Sequence, residues 1–202
     1  MKSITTILKT ELKSYIGQKS VTPDGRQVML EANIAAALDI PLVKKNDAEG
    51  VGLFRTEFIF MNRDSAPSES EQFEFFKTVL SELNPKPVVI RTLDIGGDKE
   101  LCYLNIGHES NPFLGFRAIR YCLHEKEILK TQLRALLRAS VFGNLEILFP
   151  LITNIEELFE TKEILEEVRR ELGNKAIEYS KKIKVGIMIE VPSAAILSDV
   201  FA

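Results

Sequence analysis

Val88–Lys99 reads VVIRTLDIGGDK, an apolar run that ends in an arginine and is followed by a pair of glycines. Its β-branched residues are typical of a buried strand. Burying the guanidinium of Arg91 at the end of such a strand is costly unless an anion pairs with it. Gly96-Gly97 allows the backbone to adopt positive φ and to approach a ligand closely. The stretch therefore predicts a buried strand with an anion-binding site where the strand ends.

Outward from this stretch, apolar runs typical of strands alternate with segments of helical spacing. Strands are predicted over residues 28–34, 50–56, 88–91, 145–152 and 183–189. Helices are predicted over residues 3–17, 35–38, 69–83, 117–123, 125–139 and 155–172, and from Pro192 onward. Thr22–Gly25 predicts a turn, and residues 95–116 predict a long loop. The alternation, without a hairpin signal, indicates parallel strands joined by crossover helices.

Two α/β architectures fit this order, an open doubly wound sheet and a parallel (β/α)8 barrel of the TIM type. No G-x-G-x-x-G motif follows a strand, so the strongest dinucleotide-binding signal is absent. A complete barrel needs roughly 250 residues and eight β/α units, whereas these 202 residues supply about five. In the barrel interpretation we expect the first five units only, in a domain over residues 21–202 that a linker helix in residues 1–20 precedes.

Composition restricts the classes of function. The chain is 45% hydrophobic and 27% charged, as globular proteins are, and its net charge of −3 gives no support to nucleic-acid binding. Lys9, Glu11 and Lys13 interrupt the apolar positions near the N-terminus, so no signal peptide is predicted. Cys102 and Cys122 lack metal-ligand spacing and predict free thiols in a reduced compartment. We therefore expect a cytoplasmic protein without nucleic-acid binding or membrane insertion.

Charged side chains lie at the ends of three of the five predicted strands, namely Arg55, Arg91 and Glu190. In parallel α/β folds the ligand site lies at the carboxyl edge of the sheet. Two arginines there offer fork-shaped donors for phosphate or carboxylate. A glutamate is a suitable oxygen ligand for Mg²⁺, which usually also takes oxygens from the substrate. The pattern predicts a small, doubly anionic substrate bound together with a divalent metal.

Structural ion pairs are the alternative explanation for these charges. Arg91 has Asp94 and Asp98 within reach along the chain, and Arg55 has Glu57. Three charged strand ends among five favour the site over isolated pairs. Other charged or reactive residues are predicted to have no role in the site: Lys130, Arg134 and Arg138 as a solvated helix face, and His108 and His124 as surface residues.

Four segments resemble a known family: Gly50–Met61, Val89–Glu100, Asn111–Arg120 and Val185–Pro192. In them the chain is similar to the C-terminal, phosphoenolpyruvate-binding domain of the enzyme I family of the bacterial sugar phosphotransferase system. The likeness extends over nearly the whole chain from about Val21 onward. The related pyruvate phosphate dikinases and phosphoenolpyruvate synthases share the Arg-Thr themes but differ after the second of them.

The resemblance implies a (β/α)8 barrel that binds phosphoenolpyruvate and Mg²⁺. By motif, Arg55 and Arg91 would hold the phosphate, Arg117 would add a contact from the long loop, and Glu190 would be one of two carboxylate ligands of the metal. In the family, a histidine on a separate N-terminal domain accepts the phosphoryl group and passes it to a phosphocarrier protein. No glycine-rich segment ending in Ser/Thr-His occurs in this sequence.

Other family features follow the fifth strand, namely the second metal carboxylate, the proton-donating cysteine and most contacts of the homodimer. Neither Cys102 nor Cys122 occupies the place of that cysteine, so no catalytic residue is assigned in this chain. We expect a fragment that is inactive alone. The alternatives are a dikinase or synthase relative and a non-catalytic partial barrel that self-associates through its open sheet edges.

Overall fold

A computed structural model describes residues 11–96, 101, 103–104, 110–113 and 115–202. A short antiparallel sheet comes first, formed by β1 (Ser20–Val21) and β2 (Gln27–Val28). A five-stranded parallel sheet follows, in the order β3 (Glu31–Ile34), β4 (Gly50–Arg55), β5 (Pro87–Arg91), β6 (Asn144–Phe149) and β7 (Lys184–Ile187).

The α-helices of the described residues connect and follow these strands. They are α1 (Ile40–Lys45), α2 (Glu57–Phe60), α3 (Glu69–Leu83), α4 (Ala118–His124), α5 (Lys126–Ala139), α6 (Ile155–Asn174), α7 (Pro192–Ile196) and α8 (Ser198–Phe201). Short 3-10 helices lie at Lys13–Tyr15, Ala37–Asp39 and Ser140–Phe142. Within the described ranges, no helix combines the length and the apolar character that crossing a membrane requires.

Each strand of the parallel sheet pairs with the next strand in the chain, without the reversal of order found in doubly wound sheets. Helices α3, α5 and α6 also pack against one another in chain order, as a single row. The predicted α/β class, with parallel strands and crossover helices, is confirmed. Closure into a barrel stays a prediction.

Alternate residues of the central strands form the core. Val88 and Ile90 of β5 are fully buried, and their register partners on β6 are Leu145 and Ile147, which are also buried. Apolar faces of the helices cover them, and the members of this cluster include Phe76, Leu80, Leu129, Leu133, Leu136, Leu165 and Val168. Because each such side chain contributes about 1.5–3 kcal/mol when it is fully buried, this layer fixes the sheet under the helices.

Two predicted helix starts are confirmed at the level of individual bonds. The Ser68 hydroxyl accepts a hydrogen bond from the amide of Glu71 at 3.3 Å, and the Glu71 carboxylate accepts one from the amide of Ser68 at 2.8 Å. This capping box begins α3. The Asn154 side chain accepts from the amide of Glu157 at 2.8 Å and begins α6 in the same manner.

The predicted strand over residues 28–34 is confirmed only in its second half, and the expected absence of a hairpin is wrong. Val28 belongs to the hairpin β1–β2, whose turn is closed by the amide of Gly25 donating to the carbonyl of Thr22 at 2.8 Å. Only Glu31–Ile34 joins the parallel sheet. The hairpin escaped detection because each of its strands has two residues, too few for alternation to be visible.

Two other predicted elements have different bounds. Residues 3–10 of the predicted N-terminal helix lie outside the described residues, and the 3-10 turn Lys13–Tyr15 lies in the remainder. The fifth predicted strand, over residues 183–189, is shorter in the structure and ends at Ile187. Glu190 therefore lies in the connection after β7 rather than at its last position.

The basic series on α5 is not a solvated face, contrary to prediction. The side chains of Lys130, Arg134 and Arg138 are only 14%, 16% and 26% exposed. Their carboxylate partners on the neighbouring helices are Glu69 of α3 and Glu167 and Glu171 of α6. The spacing of four residues made the series look like one exposed stripe, but neighbouring helices cover it on both sides.

Candidate functional site

Arg55 and Arg91 lie side by side at the carboxyl edge of the parallel sheet. They are register partners on β4 and β5, and each is the last residue of its strand. Residues at matching positions of parallel strands project from the same face of a sheet. Two guanidinium groups therefore leave the same face at the edge where parallel α/β proteins bind ligands.

Two carboxylates and two guanidinium groups alternate in a buried row next to this edge. Arg91 forms ion pairs with Glu57 and, through Nη1, with Asp94 Oδ2 at 2.9 Å. Asp94 Oδ1 accepts from Arg117 Nη2 at 2.6 Å. The side chains are 1%, 8%, 8% and 12% exposed for Glu57, Arg91, Asp94 and Arg117. We call these four residues the charge cluster. Its charges balance, so the row is compensated before any ligand arrives.

The structure resolves part of the ion-pair alternative for the strand-end arginines. Arg91 does pair with Asp94, as that alternative proposed. Glu57, which was considered as a partner for Arg55, forms its ion pair with Arg91. Asp98 lies outside the described residues. Internal pairing and ligand binding are compatible here, because each guanidinium group has five donors.

All three predicted arginines retain an unmet donor. The Nε atoms of Arg55, Arg91 and Arg117 are buried and have no hydrogen-bond partner among the residues that the structure describes. Leaving a buried donor unsatisfied costs about 1–3 kcal/mol, and more for a charged group. An anion that accepts from these donors would remove that penalty. This shared deficit is the feature that points most directly to an anionic ligand.

Two half-exposed aromatic rings border the arginines. The guanidinium carbon of Arg55 lies 6.0 Å from the ring centroid of Phe58, and that of Arg117 lies 5.8 Å from the ring centroid of Phe113. Contacts of this kind contribute about 0.5–1 kcal/mol at exposed sites. The rings lie beside the guanidinium groups of Arg55 and Arg117 without supplying a negative charge that would compete with a ligand. Neither phenylalanine was predicted to belong to the site.

Arg117 reaches the cluster because the chain returns to the end of β5. Gly96 has φ +118°, and a Cβ atom at this position would lie 2.4 Å from Cβ of Arg117. The amide of Ala118 then donates to the carbonyl of Ile95 at 2.9 Å. The predicted positive φ is confirmed at Gly96, whereas Gly97 lies outside the described residues. Only glycine satisfies both the backbone angle and the close contact.

Glu190 lies near the same edge but is not a member of the charge cluster. Its carboxylate is exposed, and Oε1 accepts from the amide of Leu151 at 2.8 Å. Met188, two residues earlier, accepts through Sδ from Arg91 Nη1 at 3.7 Å. The connection after β7 therefore contacts the cluster through Met188, and it positions Glu190 beside the end of β6.

The donors at this edge fit a magnesium site in part. Among the described residues, no group of three or more His, Cys, Asp or Glu side chains is arranged to hold a metal ion. Glu57 and Asp94 are engaged by arginines, whereas Glu190 faces solvent. Magnesium is commonly bound by one or two carboxylates together with substrate phosphate and water. Glu190 suits one position in such a coordination sphere.

The thiols and imidazoles supply no further chemistry in the described residues. Burial, with a smaller contribution from the charge of Asp94, raises the pKa of Cys122 to about 12. This thiol is therefore protonated at neutral pH and cannot act as a nucleophile. His124 is an exposed residue whose Nδ1 lies 3.1 Å from Glu125 Oε1. Cys102 and His108 lie outside the described residues.

Thr56 and Gln132 are buried polar residues at the site that the sequence analysis missed. Gln132 lies on the buried face of α5 between Leu129 and Leu136, yet its amide contacts the ends of β4 and β5. A glutamine at an apolar position of a helical repeat was the available signal, because a buried amide requires polar partners. The sequence around Gln132 does not indicate these partners, because they lie 39 and 76 positions away along the chain.

Comparisons with known proteins agree with the geometry. Residues 9–202 match the family model described as PEP-utilising enzyme, PEP-binding domain, where PEP is phosphoenolpyruvate. Three relatives are named phosphoenolpyruvate-protein phosphotransferase. They come from Staphylococcus carnosus (strain TM300), Priestia megaterium and Bacillus sp. (strain S), and they are 55%, 52% and 51% identical over 194 residues.

These alignments cover 96% of this chain and 34% of each relative. The chain thus spans about a third of the length of the curated relatives it matches. The family model, in contrast, extends over almost all of the chain, including both arginine-bearing strands and the charge cluster. The chain therefore belongs to the PEP-utilising enzymes, and residues 9–202 correspond to their PEP-binding domain.

Proposed function

We propose that this chain contributes the arginine-lined half of a phosphoenolpyruvate site to a phosphoenolpyruvate-protein phosphotransferase. The observation on which the proposal rests is the set of buried Nε donors of Arg55, Arg91 and Arg117 at one edge of the sheet, which have no hydrogen-bond partner in the part of the chain that the structure describes. The names of the relatives support the same activity. They give no support to the alternative of a pyruvate phosphate dikinase or phosphoenolpyruvate synthase.

The proposed architecture is the first five units of a (β/α)8 barrel in residues 21–202, with residues 1–20 as a linker. Strand pairing in chain order and the single row of large helices support it. In a closed barrel the uncovered face of the sheet becomes the interior, and the carboxyl ends of all strands surround one site. The charge cluster then lies at the rim of that site.

In this proposal Arg55 and Arg91 hold the phosphate of the substrate, and Arg117 adds a contact from the far end of the segment 97–116. Phosphoryl transfer passes through a loose transition state in which charge is spread over the equatorial oxygens. The task of the protein is therefore to position the group and to neutralise its charge. The charge cluster serves this task by fixing two guanidinium groups before the substrate binds.

Magnesium, when bound, would neutralise further negative charge on the substrate, and Glu190 is the residue of this chain that would ligate it. The exposed carboxylate beside the end of β6 is available for this role. The amide of Leu151 orients one of its oxygens. This contact prepares the carboxylate in the way that outer hydrogen bonds orient metal ligands.

The proposed acceptor of the phosphoryl group is a histidine on another domain, which passes it to a phosphocarrier protein. A homodimer and a cytoplasmic location complete the proposal for the whole enzyme. We expect the chain alone to bind phosphoenolpyruvate weakly and to transfer nothing. Stable incorporation of labelled phosphate from phosphoenolpyruvate into a histidine of this chain would contradict that expectation.

A titration of the purified chain with phosphoenolpyruvate and Mg²⁺ tests the site. We expect Arg55→Ala and Arg91→Lys each to weaken binding by about tenfold or more, because a bidentate, charge-assisted contact is lost. Arg91→Lys keeps a positive charge beside Glu57, so the buried carboxylate is not left without compensation. Arg169→Ala, at a partly exposed arginine of α6 that pairs with Glu166, is the matched control. Unchanged affinity in both site variants would refute the assignment.

A further inference from the structure

We propose that Thr56 and Gln132 are positioning residues, which together form a hydrogen-bonded relay that sets the two arginine-bearing strand ends. We call this pair the relay. The inference rests on the proposed function of the same site, since it concerns how that site is held in place. It assigns a role at the substrate site to α5, a helix from which no site residue had been predicted.

The relay consists of three hydrogen bonds in sequence. The Thr56 hydroxyl donates to the carbonyl of Arg91 at 3.0 Å. The Gln132 amide donates through Nε2 to the same hydroxyl at 3.2 Å and accepts through Oε1 from the amide of Leu93 at 2.8 Å. Thr56 and Gln132 are both fully buried. The bonds begin and end on backbone groups that immediately adjoin the charge cluster.

The relay connects the two chain segments just beyond the point where backbone pairing between β4 and β5 ends. Their pairing ends at Arg55 and Arg91, because the chain turns into α2 immediately after β4. On the other side of β5 pairing continues, with the amide of Thr92 donating to the carbonyl of Leu148 at 3.0 Å. On the side that faces β4, the backbone groups of Arg91 and Leu93 therefore form hydrogen bonds with side chains instead of with a strand. Their position decides where the backbone of Arg91 and Leu93 lies.

The chemistry of the two side chains permits only one arrangement. The single hydroxyl hydrogen of Thr56 is used on Arg91, so this oxygen must accept from the Gln132 amide. The oxygen of that amide is then directed to Leu93. Thr56 also stands between Arg55 and Glu57 in the chain, and Leu93 precedes Asp94. A shift of the relay would displace an arginine and a carboxylate at each of the two strand ends.

A purely structural role is the competing explanation, because buried polar groups need partners wherever they occur. Thr161 offers a comparison within the same chain. It is also fully buried, but its hydroxyl donates at 2.7 Å to the carbonyl of Glu157, one turn earlier in the same helix. Thr161→Val removes a buried hydroxyl that contacts no strand end. Loss of stability alone should appear in this variant too.

The test compares Thr56→Val and Gln132→Met, which nearly conserve volume, with Thr56→Ser, which restores the hydroxyl, and with Thr161→Val. Each purified chain is titrated with phosphoenolpyruvate and Mg²⁺ and unfolded with urea. We expect the first two variants to bind about tenfold more weakly, and the other two to stay within about twofold of the parent. The Nε resonances of Arg55 and Arg91 should shift in Thr56→Val and Gln132→Met but not in Thr161→Val.

The outcomes separate the relay from the proposed function. Absence of phosphoenolpyruvate binding by the parent chain would overturn the proposed function, and the relay with it. Binding by the parent together with unchanged affinity in Thr56→Val and Gln132→Met would overturn the relay alone. An equal loss of affinity in Thr161→Val would also overturn it, because the effect would then follow stability. If one relay variant does not fold, the other still decides.

Discussion

The charge cluster combines neutrality with unmet donors. Asp94 pairs with both Arg91 and Arg117, and Glu57 pairs with Arg91, so two negative charges offset two positive charges. Removing one member of a buried pair typically costs about 3–5 kcal/mol, because the remaining charge is left without compensation. The Nε atoms of Arg91 and Arg117 have no hydrogen-bond partner among the described residues, so these residues balance the charges of the cluster without satisfying all of its donors.

Gly96 is the residue at which the backbone itself limits substitution. We expect Gly96→Ala to destabilise the chain by about 2 kcal/mol or more, because a Cβ atom is unfavourable at positive φ and would collide with Arg117. Urea unfolding measures the change in the free energy of unfolding.

Gly173→Ala is the matched control, at a glycine of α6 where a Cβ atom would meet nothing within 4 Å. There we expect a gain of about 0.5–1 kcal/mol from the better helix propensity of alanine. Equal effects of the two substitutions would contradict the assigned role of Gly96.

The site residues differ in how far the sequence could predict them. Arg55 and Arg91 were predictable because they end apolar strands, and the ends of parallel strands share one edge. Arg117 was found only through the family resemblance, since the sequence before it has no strand or helix periodicity that would place it at the site. The pairing of Glu57 with Arg91 joins residues 34 positions apart. No local pattern reports such a contact.

At the scale of elements, helices with local start signals were predicted well. The capping box at α3 and the Asn154 cap at α6 involve residues three apart, so the sequence contains the whole interaction. The hairpin was missed because each of its strands has only two residues. The covered face of α5 was predicted wrongly because ion pairs with distant helices decide it.

The capping box of α3 predicts a pH dependence. Hydrogen bonds from Arg63 and then from Ser68 lower the pKa of Glu71 from 4.5 to about 2. The folded state therefore favours the ionised carboxylate. Its stabilising effect is complete above pH about 4.5 and disappears as the pH falls towards 2.

Glu71→Gln should accordingly destabilise the chain at pH 7, and the difference from the parent should shrink as the pH is lowered through this window. Urea unfolding at several pH values measures it. Glu74→Gln, at an exposed carboxylate of the same helix, serves as the control. A difference that stays constant down to pH 3 would show that the charge of Glu71 is not responsible.

At the scale of the whole molecule, the outer strands β3 and β7 bound an open sheet. Beyond β7, large apolar side chains are exposed, and they include Ile189, Ile196, Leu197 and Val200. Open strand edges and exposed apolar side chains favour association with other chains. These features support the alternative in which the chain self-associates.

We therefore expect the isolated chain to form dimers or larger species as its concentration rises. Analytical ultracentrifugation over a hundredfold concentration range measures this. A titration with phosphoenolpyruvate in the same series shows whether association and ligand binding are linked. A single monomeric species at every concentration would contradict self-association.

The contact between Gly96 and Arg117 has a consequence for how Arg117 keeps its position in the site. The chain on the two sides of residues 97–116 is fastened at one point, where Gly96 meets Arg117 and the amide of Ala118 donates to the carbonyl of Ile95. The register of Arg117 is therefore set by its contacts with Ile95 and Gly96, and not by the number of residues between them.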